Sequence, residues 1–278
     1  MRKRPLILLT NDDGIEAAGL LALERAMAAL GEVWVVAPSG ERSTCSHSLT
    51  LRRELPVERL GPRRWAVDGT PVDCVFVGMF GLLPRRPAVV VSGINHGPNL
   101  GTDTIYSGTV AAAREGALRG VPSVAVSLTE GERFDEAARI AAELVRRVLR
   151  SGPHALADGR GVLLNLNVPP RVTGPARLAR LGRRAYPEEV AVRRVGGSAH
   201  AARIGGYPVK ADGERGADTR AIAQGRPSLT PLTLDLTQRD ARRRFGALLE
   251  MLGHAGPAAP TRSRGTASAS RARTGGGR

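Results

Sequence analysis

Residues Leu6 to Gly14 read Leu-Ile-Leu-Leu-Thr-Asn-Asp-Asp-Gly, an uninterrupted apolar run that ends on polar side chains and a glycine. A strand covered on both faces of a parallel sheet has such a run, whereas a half-exposed strand alternates. Ligands of open parallel sheets bind outside the carboxyl ends of the strands, where Asn11, Asp12 and Asp13 follow here. Because Asp-Gly is also typical of an ordinary turn, the two carboxylates indicate a functional site only together with residues of other loops.

The chain then alternates between helical and strand patterns as far as residue 170. Four further strands are predicted at Val33–Ala37, Ala88–Ser92, Ser123–Ser127 and Val162–Asn167. Helices are predicted at Ala17–Leu30, Val110–Leu118, Phe134–Leu149 and from Pro71 to about Gly81, the last with Thr70 as its N-cap. This alternation predicts an α/β fold with a Rossmann-like, mostly parallel sheet and helices on both faces.

The remaining segments are less regular. Short apolar pieces at Leu49–Leu51, Val57–Leu60 and Trp65–Val67 predict a small β-excursion. After Pro170 the sequence becomes rich in Arg and Gly, with apolar pieces at Ala176–Leu181 and Ala202–Val209, a predicted strand at Leu229–Leu236 and a predicted helix at Gln238–Leu252. We therefore expect a Rossmann-like domain over residues 1–170, a C-terminal extension with a β-rich arm and a helix over 171–252, and a disordered basic tail over 253–278.

Composition restricts the class of protein. The net charge of +15 comes almost entirely from arginine, because Lys3 and Lys210 are the only lysines. Aromatic residues make up 3% of the chain, too few for the stacking surfaces that bind single-stranded nucleic acid, so nucleic acid is not an expected partner. Cys45 and Cys74 are too few for a disulfide framework, and no apolar stretch approaches a membrane span. We expect a cytoplasmic protein without a membrane segment.

Three loops are expected at one edge of the sheet. Asp12 and Asp13 follow the first strand, Ser43 lies in the polar segment after the second, and Asn95 lies in the glycine-rich loop after Ala88–Ser92. Two carboxylates, a hydroxyl and an amide oxygen suit a hard divalent cation such as Mg²⁺ or Mn²⁺. The sequence therefore indicates a candidate metal site made of oxygen ligands.

The turn Ser107-Gly108-Thr109 begins the next helix, where free backbone N–H groups and the helix dipole favour an anion such as phosphate. A metal ion beside an anion site is typical of phosphoryl hydrolysis. Ser and Thr at a helix start are also ordinary caps, and single histidines such as His47 and His96 are typical of solvated loops. Both interpretations remain open from these residues alone.

Six groups of residues follow one another along the chain: Thr10-Asn11-Asp12-Asp13-Gly14-Ile15, Val36-Ala37-Pro38 with Glu41-Arg42-Ser43, Gly69-Thr70-Pro71 with Asp73-Cys74, Ser92-Gly93-Ile94-Asn95 with Gly97-x-Asn99-x-Gly101, Tyr106-Ser107-Gly108-Thr109-Val110, and Asn165-Leu166-Asn167-Val168-Pro169. In this order they resemble the SurE family, the survival protein E nucleotidases. The resemblance spans about Leu6 to Pro170 and resumes at Ser228 to Leu232.

The resemblance implies a phosphatase that removes phosphate from nucleoside 5'- and 3'-monophosphates and uses one divalent metal ion per subunit, Mg²⁺ or Mn²⁺. Its metal ligands fall on Asp12, Asp13, Ser43 and Asn95. Substrate and phosphate contacts fall on Asn95, Asn99, Ser107, Gly108 and Thr109, and the catalytic residues are Asp12, Asp13, Asn99 and Ser107. The resemblance further implies an extension that is exchanged between subunits, and hence a homodimer or homotetramer.

Some questions stay open from the sequence. Arg226 stands where the family usually has an aromatic residue. A sugar-nucleotide transferase that uses Asp12 and Asp13 to bind a metal diphosphate is one alternative function, and a basic nucleic-acid-binding protein with a vestigial metal site is another. The group that protonates the leaving oxygen is also open between Asp13, a metal-bound water and His47.

Overall fold

The computed structural model describes residues 4–151, 161–186, 189–205 and 210–238, together with residues 240, 244 and 246. Its strands are β1 (Leu6–Thr10), β2 (Glu32–Pro38), β3 (Val57–Gly61), β4 (Arg64–Val67), β5 (Val89–His96), β6 (Ser123–Leu128), β7 (Leu163–Val168), β8 (Arg177–Leu178), β9 (Arg184–Ala185), β10 (Val190–Gly196), β11 (Ala199–Ile204), β12 (Lys210–Ala211) and β13 (Ser228–Leu232). Its helices are α1 (Ala18–Met27), α2 (Pro71–Val77), α3 (Gly108–Leu118), α4 (Phe134–Ser151) and α5 (Asp218–Ala223). A π-helical turn, Gly78–Leu82, continues α2, and a 3-10 turn, Gly101–Ile105, precedes α3.

Nine of the described strands form one sheet in the order β3-β4-β2-β1-β5-β6-β7-β13-β8. Parallel pairing runs from β4 through β2, β1, β5 and β6 to β7. The strands β3 and β13 are antiparallel to their neighbours β4 and β7. The predicted Rossmann-like, mostly parallel sheet is confirmed.

The continuous apolar run of β1 is explained by helices on both faces of the sheet. Ile7 and Leu9 pack in one buried cluster with residues of α1 and α4, whereas Leu8 packs in a second cluster with residues of α2 and α3. Successive side chains of a strand point to opposite faces, so the apolar residues Ile7, Leu8 and Leu9 meet helices on both sides of the sheet. All five residues of β1 are buried accordingly. The predicted arrangement of helices is confirmed.

The strand β5 is longer than predicted. It continues past the predicted end at Ser92 as far as His96. Its register with β6 shifts between Ser92 and Asn95, and Gly93 has a φ of 132°, in the left-handed region that favours glycine. A bulge of this kind bends a strand without ending it. The prediction that Asn95 lies in a loop was therefore wrong, because Asn95 pairs with Ser127 of β6.

The predicted β-excursion is confirmed for two of its three pieces, which form β3 and β4. The third piece, Leu49–Leu51, is not a strand. Its central residue Thr50 is held by the side chain of Asp73 instead, through its N–H at 2.7 Å and its hydroxyl at 2.8 Å. These two hydrogen bonds replace the strand pairing that the apolar pattern predicted.

The extension contributes to the main sheet. The strand predicted at Leu229–Leu236 is shorter in the structure, where β13 lies between β7 and β8. The piece Ala176–Leu181 forms only the short strand β8. The first part of the piece Ala202–Val209 belongs to β11, which forms an antiparallel hairpin with β10.

Several predictions concern the C-terminal residues. The predicted helix Gln238–Leu252 and the predicted tail over 253–278 lie outside the described residues, apart from Gln238 and residues 240, 244 and 246. The chain divides into two units, Met1–Leu234 and Asp235–Arg278. The domain boundaries predicted after residues 170 and 252 stay predictions. Within the described ranges, no helix has the length and apolar content needed to cross a membrane.

A buried carboxylate, Asp218, joins the extension to the 3-10 turn before α3. Its Oδ2 accepts a hydrogen bond from the N–H of Gly101 at 2.9 Å. Its Oδ1 accepts from the N–H groups of Gly182 and Thr219, at 2.9 and 2.7 Å. Because Asp218 is fully buried, these three donors have no solvent to replace it.

Replacement of Asp218 by Ala leaves buried backbone N–H groups without an acceptor. We expect Asp218→Ala to lower the free energy of unfolding by about 3 kcal/mol, measured by urea denaturation. The matched control is Asp135→Ala, which removes a side chain that is 97% exposed and 3.9 Å from Arg25. That control should change stability by less than about 0.5 kcal/mol, and equal losses in the two variants would contradict the assignment.

Candidate functional site

A cavity of about 1170 Å³ opens at the carboxyl ends of β1, β2 and β5. Its lining includes the four predicted metal ligands, Asp12, Asp13, Ser43 and Asn95. It also includes Asn99 and Ser107, whereas Gly108 and Thr109 lie buried behind the lining. The structure thus brings six of the predicted site residues to one cavity and places the other two in its supporting wall.

Asp12 is buried under the first turn of α3. The hydroxyl of Thr109 donates a hydrogen bond of 2.5 Å to Asp12 Oδ1. A Cβ at Gly108 would lie 2.9 Å from Asp12 Cβ and 3.0 Å from its Oδ2, so only glycine admits the carboxylate at this distance. Burial raises the pKa of Asp12 to about 6, and the charge of Asp13 acts in the same direction.

Asp13 also lines the cavity and is less buried than Asp12. Its Oδ2 accepts a hydrogen bond from the backbone N–H of His96 at 3.2 Å. Burial raises the pKa of the Asp13 carboxyl, the His96 N–H opposes the shift, and the nearby charge of Glu41 adds to it. Two neighbouring carboxylates with raised pKa values hold negative charge at a cost in stability, which an added cation would remove.

Glu41 is a cavity residue that the sequence analysis did not predict. The hydroxyl of Ser43 donates to Glu41 Oε1 at 2.6 Å. A hydroxyl that donates its proton to a carboxylate keeps its oxygen lone pairs for another partner. The signal was its position two residues before Ser43 and three residues after the end of β2, but the spacing alone does not show which way its side chain points.

Asn95 presents its side chain with a defined orientation. Its Nδ2 donates to the carbonyl oxygen of Gly97 at 2.9 Å, so the amide nitrogen is turned toward the chain. The opposite atom of the amide, Oδ1, is therefore the one available to a ligand in the cavity. Oxygen atoms of Asp12, Asp13, Ser43 and Asn95 are all compatible with a hard divalent cation. Over the residues described, no group of three His, Cys, Asp or Glu side chains forms a metal site, so such a site depends on the hydroxyl and amide oxygens.

Asn99 is held by two asparagines of β7. Its backbone N–H donates to Asn167 Oδ1 at 2.9 Å, and its carbonyl accepts from Asn165 Nδ2 and Asn167 Nδ2, at 2.8 and 3.0 Å. Its own amide donates to Ser127 Oγ at 2.8 Å and to Thr109 Oγ1 at 3.4 Å. The spacing of Asn165 and Asn167 on one face of a strand was the available signal for this role, which sequence reasoning missed.

Ser107 is the N-cap of α3. Its Oγ accepts a hydrogen bond from the N–H of Val110 at 3.0 Å. Capping uses the oxygen as an acceptor and leaves the hydroxyl proton to donate elsewhere. Ser107 therefore combines the cap, which was one interpretation of the sequence, with a position on the cavity wall that the anion-binding interpretation needs.

His47, an open candidate for the general acid, lies away from the cavity lining. Its Nε2 is 3.0 Å from Glu115 Oε2, and Glu115 is buried and also accepts from Arg119 Nε at 2.7 Å. The pKa of Glu115 is lowered by the hydrogen bonds from His47 and Arg119. These contacts make His47 a structural partner of Glu115, a residue of α3.

Comparisons with known proteins show which family this chain is similar to. The family model described as Survival protein SurE matches residues 7–188. A relative described as 5'-nucleotidase SurE, from Sorangium cellulosum, is 48% identical over 238 residues, which cover 84% of this chain and 91% of the relative. Another of the same description, from Gemmatimonas aurantiaca, is 47% identical over 84% of this chain and 94% of its own length.

A solved structure shows the same fold. The crystal structure of the SurE protein from Aquifex aeolicus matches with a TM-score of 0.75 and 36% identity, over 88% of this chain and 100% of that one. Its similarity extends beyond the parallel sheet, since the matched share exceeds the residues before 170. With the family model matching well over half of its length, this chain belongs to the SurE family.

Proposed function

We propose that this chain is a divalent-metal-dependent phosphomonoesterase that hydrolyses nucleoside 5'- and 3'-monophosphates to nucleoside and phosphate. The observation that carries the proposal is the cavity that joins the carboxylates of Asp12 and Asp13 to the N-terminal turn of α3. The relatives named as 5'-nucleotidases support the substrate class. Neither a sugar-nucleotide transferase nor a nucleic-acid-binding protein has comparable support.

In this proposal Asp12, Asp13, Ser43 and Asn95 hold one divalent ion, Mg²⁺ or Mn²⁺. The set fits because two clustered carboxylates with raised pKa values need positive charge, and because Ser43 and Asn95 keep an oxygen for a ligand. When bound, such an ion neutralises charge on a phosphoryl group and lowers the pKa of a water molecule. Glu41 fixes the hydroxyl of Ser43 and adds negative charge beside Asp13.

The phosphoryl group is held from the opposite side by the start of α3. Ser107 donates its hydroxyl proton to a phosphoryl oxygen, and Gly108 contributes its backbone N–H at the positive end of the helix. Thr109 supports this arrangement by holding Asp12. Asn99 reaches the substrate if its amide exchanges its longer bond, at 3.4 Å to Thr109, for a phosphoryl oxygen.

We also propose a homodimer or homotetramer, on the basis of the hairpin β10–β11. Val190 pairs directly with Ile204, so these two side chains share one face of the hairpin with Val192. The three side chains are 59%, 86% and 63% exposed, in the order Val190, Ile204 and Val192. A two-stranded hairpin with an uncovered apolar face is only marginally stable by itself. A second copy of the chain is the partner expected to cover that face.

The activity is tested by phosphate release from nucleoside 5'- and 3'-monophosphates and from p-nitrophenyl phosphate with Mg²⁺ or Mn²⁺. We expect Asp12→Ala to lower kcat by about 100-fold or more, because it removes a charge that the reaction depends on. Asp135→Ala, at the exposed end of α4, is the control and should retain the wild-type rate. If no phosphate is released with any metal, or if Asp12→Ala keeps the wild-type rate, the proposal is contradicted.

The charge of Asp12 has a measurable cost in the metal-free protein. Its folded-state pKa of about 6 exceeds the unfolded value of 3.8, so ionised Asp12 opposes folding fully above pH 6 and progressively less as the pH falls toward 3.8. At pH 7.5 without metal, we expect Asp12→Asn to be more stable than wild type by about 3 kcal/mol, and by about half of that at pH 5. Urea denaturation at the two pH values measures this difference.

The same two proteins report on metal binding. Mn²⁺ should raise the Tm of wild type, because an ion that binds only the folded state stabilises it, and should leave the Tm of Asp12→Asn nearly unchanged. An equal Mn²⁺-induced shift in both proteins would contradict the assignment of Asp12 as a ligand.

The oligomer is tested on the apolar face of the hairpin. We expect Val192→Asp to produce a smaller species in light scattering, because a carboxylate cannot be buried there without a partner. Arg193→Asp, on the opposite face of β10, serves as the control and should keep the wild-type mass. If both variants keep that mass, the hairpin is not the interface.

A further inference from the structure

The cavity lining includes residues that the phosphate chemistry does not use. At about 1170 Å³ the cavity is larger than most small-molecule sites, which hold roughly 300–1,000 Å³, so it accommodates a substrate group beyond the phosphate. Its lining includes three aromatic side chains, those of Tyr106, Phe134 and Tyr186. The whole chain has only three tyrosines, four phenylalanines and two tryptophans, so three aromatic residues in the lining of one cavity are a marked concentration.

Of these rings, Tyr186 is the one whose polar tip is anchored by a hydrogen bond to a neighbouring side chain. Its hydroxyl donates a hydrogen bond of 2.8 Å to Asp103 Oδ1. The guanidinium of Arg184 pairs with Asp103 Oδ2, and its central carbon lies 6.0 Å from the Tyr186 ring centroid. Tyr186 is nevertheless 46% exposed. The phenol is thus held at its polar tip with the Arg184 guanidinium over its ring, and nearly half of the side chain is still exposed in the cavity lining.

Phe134 has a different environment. Its ring meets the ring of His96 edge-on, with 6.1 Å between the centroids, so part of its surface is already used. Tyr106 is 59% exposed, and its backbone carbonyl accepts a hydrogen bond from the N–H of Ser46 at 3.0 Å. A flat ligand therefore finds its best-defined contact on Tyr186.

The anchor of Tyr186 is connected to the phosphate end of the site. Asp103 belongs to the 3-10 turn between Asn99 and Ser107. The neighbouring Thr102 donates its hydroxyl to the carbonyl of Arg184 at 2.7 Å. The strand β9 and the turn that leads into α3 are therefore fixed to each other, which sets the position of the Tyr186 ring with respect to Ser107.

We propose that the ring of Tyr186 stacks on the base of a nucleoside monophosphate whose phosphate lies at Asp12, Asp13 and Ser107. This inference rests on the proposed function and deepens it by naming the residue that recognises the nucleoside. Every nucleobase has a π-face, so stacking favours nucleotides over phosphate esters without a base and discriminates little among bases. The larger purines gain more contact than the pyrimidines.

The test compares two substrates that share ribose and 5'-phosphate and differ only in the base, adenosine 5'-monophosphate and ribose 5-phosphate. We expect Tyr186→Ala to lower kcat/KM for adenosine 5'-monophosphate by about 10- to 100-fold, the range of base–aromatic stacking, and to change the value for ribose 5-phosphate by less than about 2-fold. Tyr186→Phe keeps the ring and should lose less than about 3-fold with the nucleotide. Phe80→Ala removes an exposed ring away from the cavity and should match wild type with both substrates.

A purely structural role gives a different pattern. If Tyr186 acts only by holding Asp103, both substrates lose activity equally and Tyr186→Phe is as impaired as Tyr186→Ala. That result would overturn the proposal.

Calorimetric binding of the same two compounds separates this inference from the proposed function. Weaker binding of adenosine 5'-monophosphate in Tyr186→Ala supports the stacking even if wild type releases no phosphate, which would overturn the phosphatase proposal alone. Equal binding of adenosine 5'-monophosphate by wild type and Tyr186→Ala, or no binding by wild type, would overturn the stacking.

Discussion

The hydrogen bond of 2.5 Å from the Thr109 hydroxyl to Asp12 joins the end of β1 to the start of α3, across 97 positions of sequence. It places a carboxylate beside the helix terminus that is best suited to bind an anion. The Asp12 carboxylate, which attracts a cation, and the N-terminus of α3, which attracts an anion, thereby share one cavity. The contact requires Gly108, because any Cβ there would overlap Asp12. The rest of the site is arranged around this junction.

The junction opposes folding and so needs support from the rest of the protein. Burial raises the pKa of Asp12 to about 6, and Asp13 and Glu41 add like charge nearby. In the absence of a cation, this cluster is a net cost that the apolar core must offset. The covering of β1 on both faces supplies that support, since the strand that carries the carboxylates is also among the most buried elements. A destabilising cluster on a rigid strand end is the pattern expected of a functional site.

The sequence predicted those features that depend on local pattern. The buried strands and the helix cap at Ser107 follow from the apolar runs and the residue types at the helix start. The presence of Asp12, Asp13, Ser43 and Asn95 in one cavity lining follows from strand ends that meet at one edge of a parallel sheet. Glu41 was not predicted, because its role depends on a side-chain direction that no periodicity specifies. The bulge that extends β5 through Asn95 was missed for a related reason: glycines that signal a loop also permit a bulge.

Long-range hydrogen bonds account for the other features that the sequence did not predict, and they connect the extension to the site. Asn167 reaches the loop at Asn99 across 68 positions, and Asp218 reaches Gly101 across 117. The turn between Asn99 and Ser107 is therefore held from the parallel sheet on one side and from the extension on the other. Changes in the extension can alter the wall around Tyr186 while the carboxylates on β1 stay in place. In the proposed site, the fold thus separates the strand ends assigned to the phosphate from the wall assigned to the rest of the substrate.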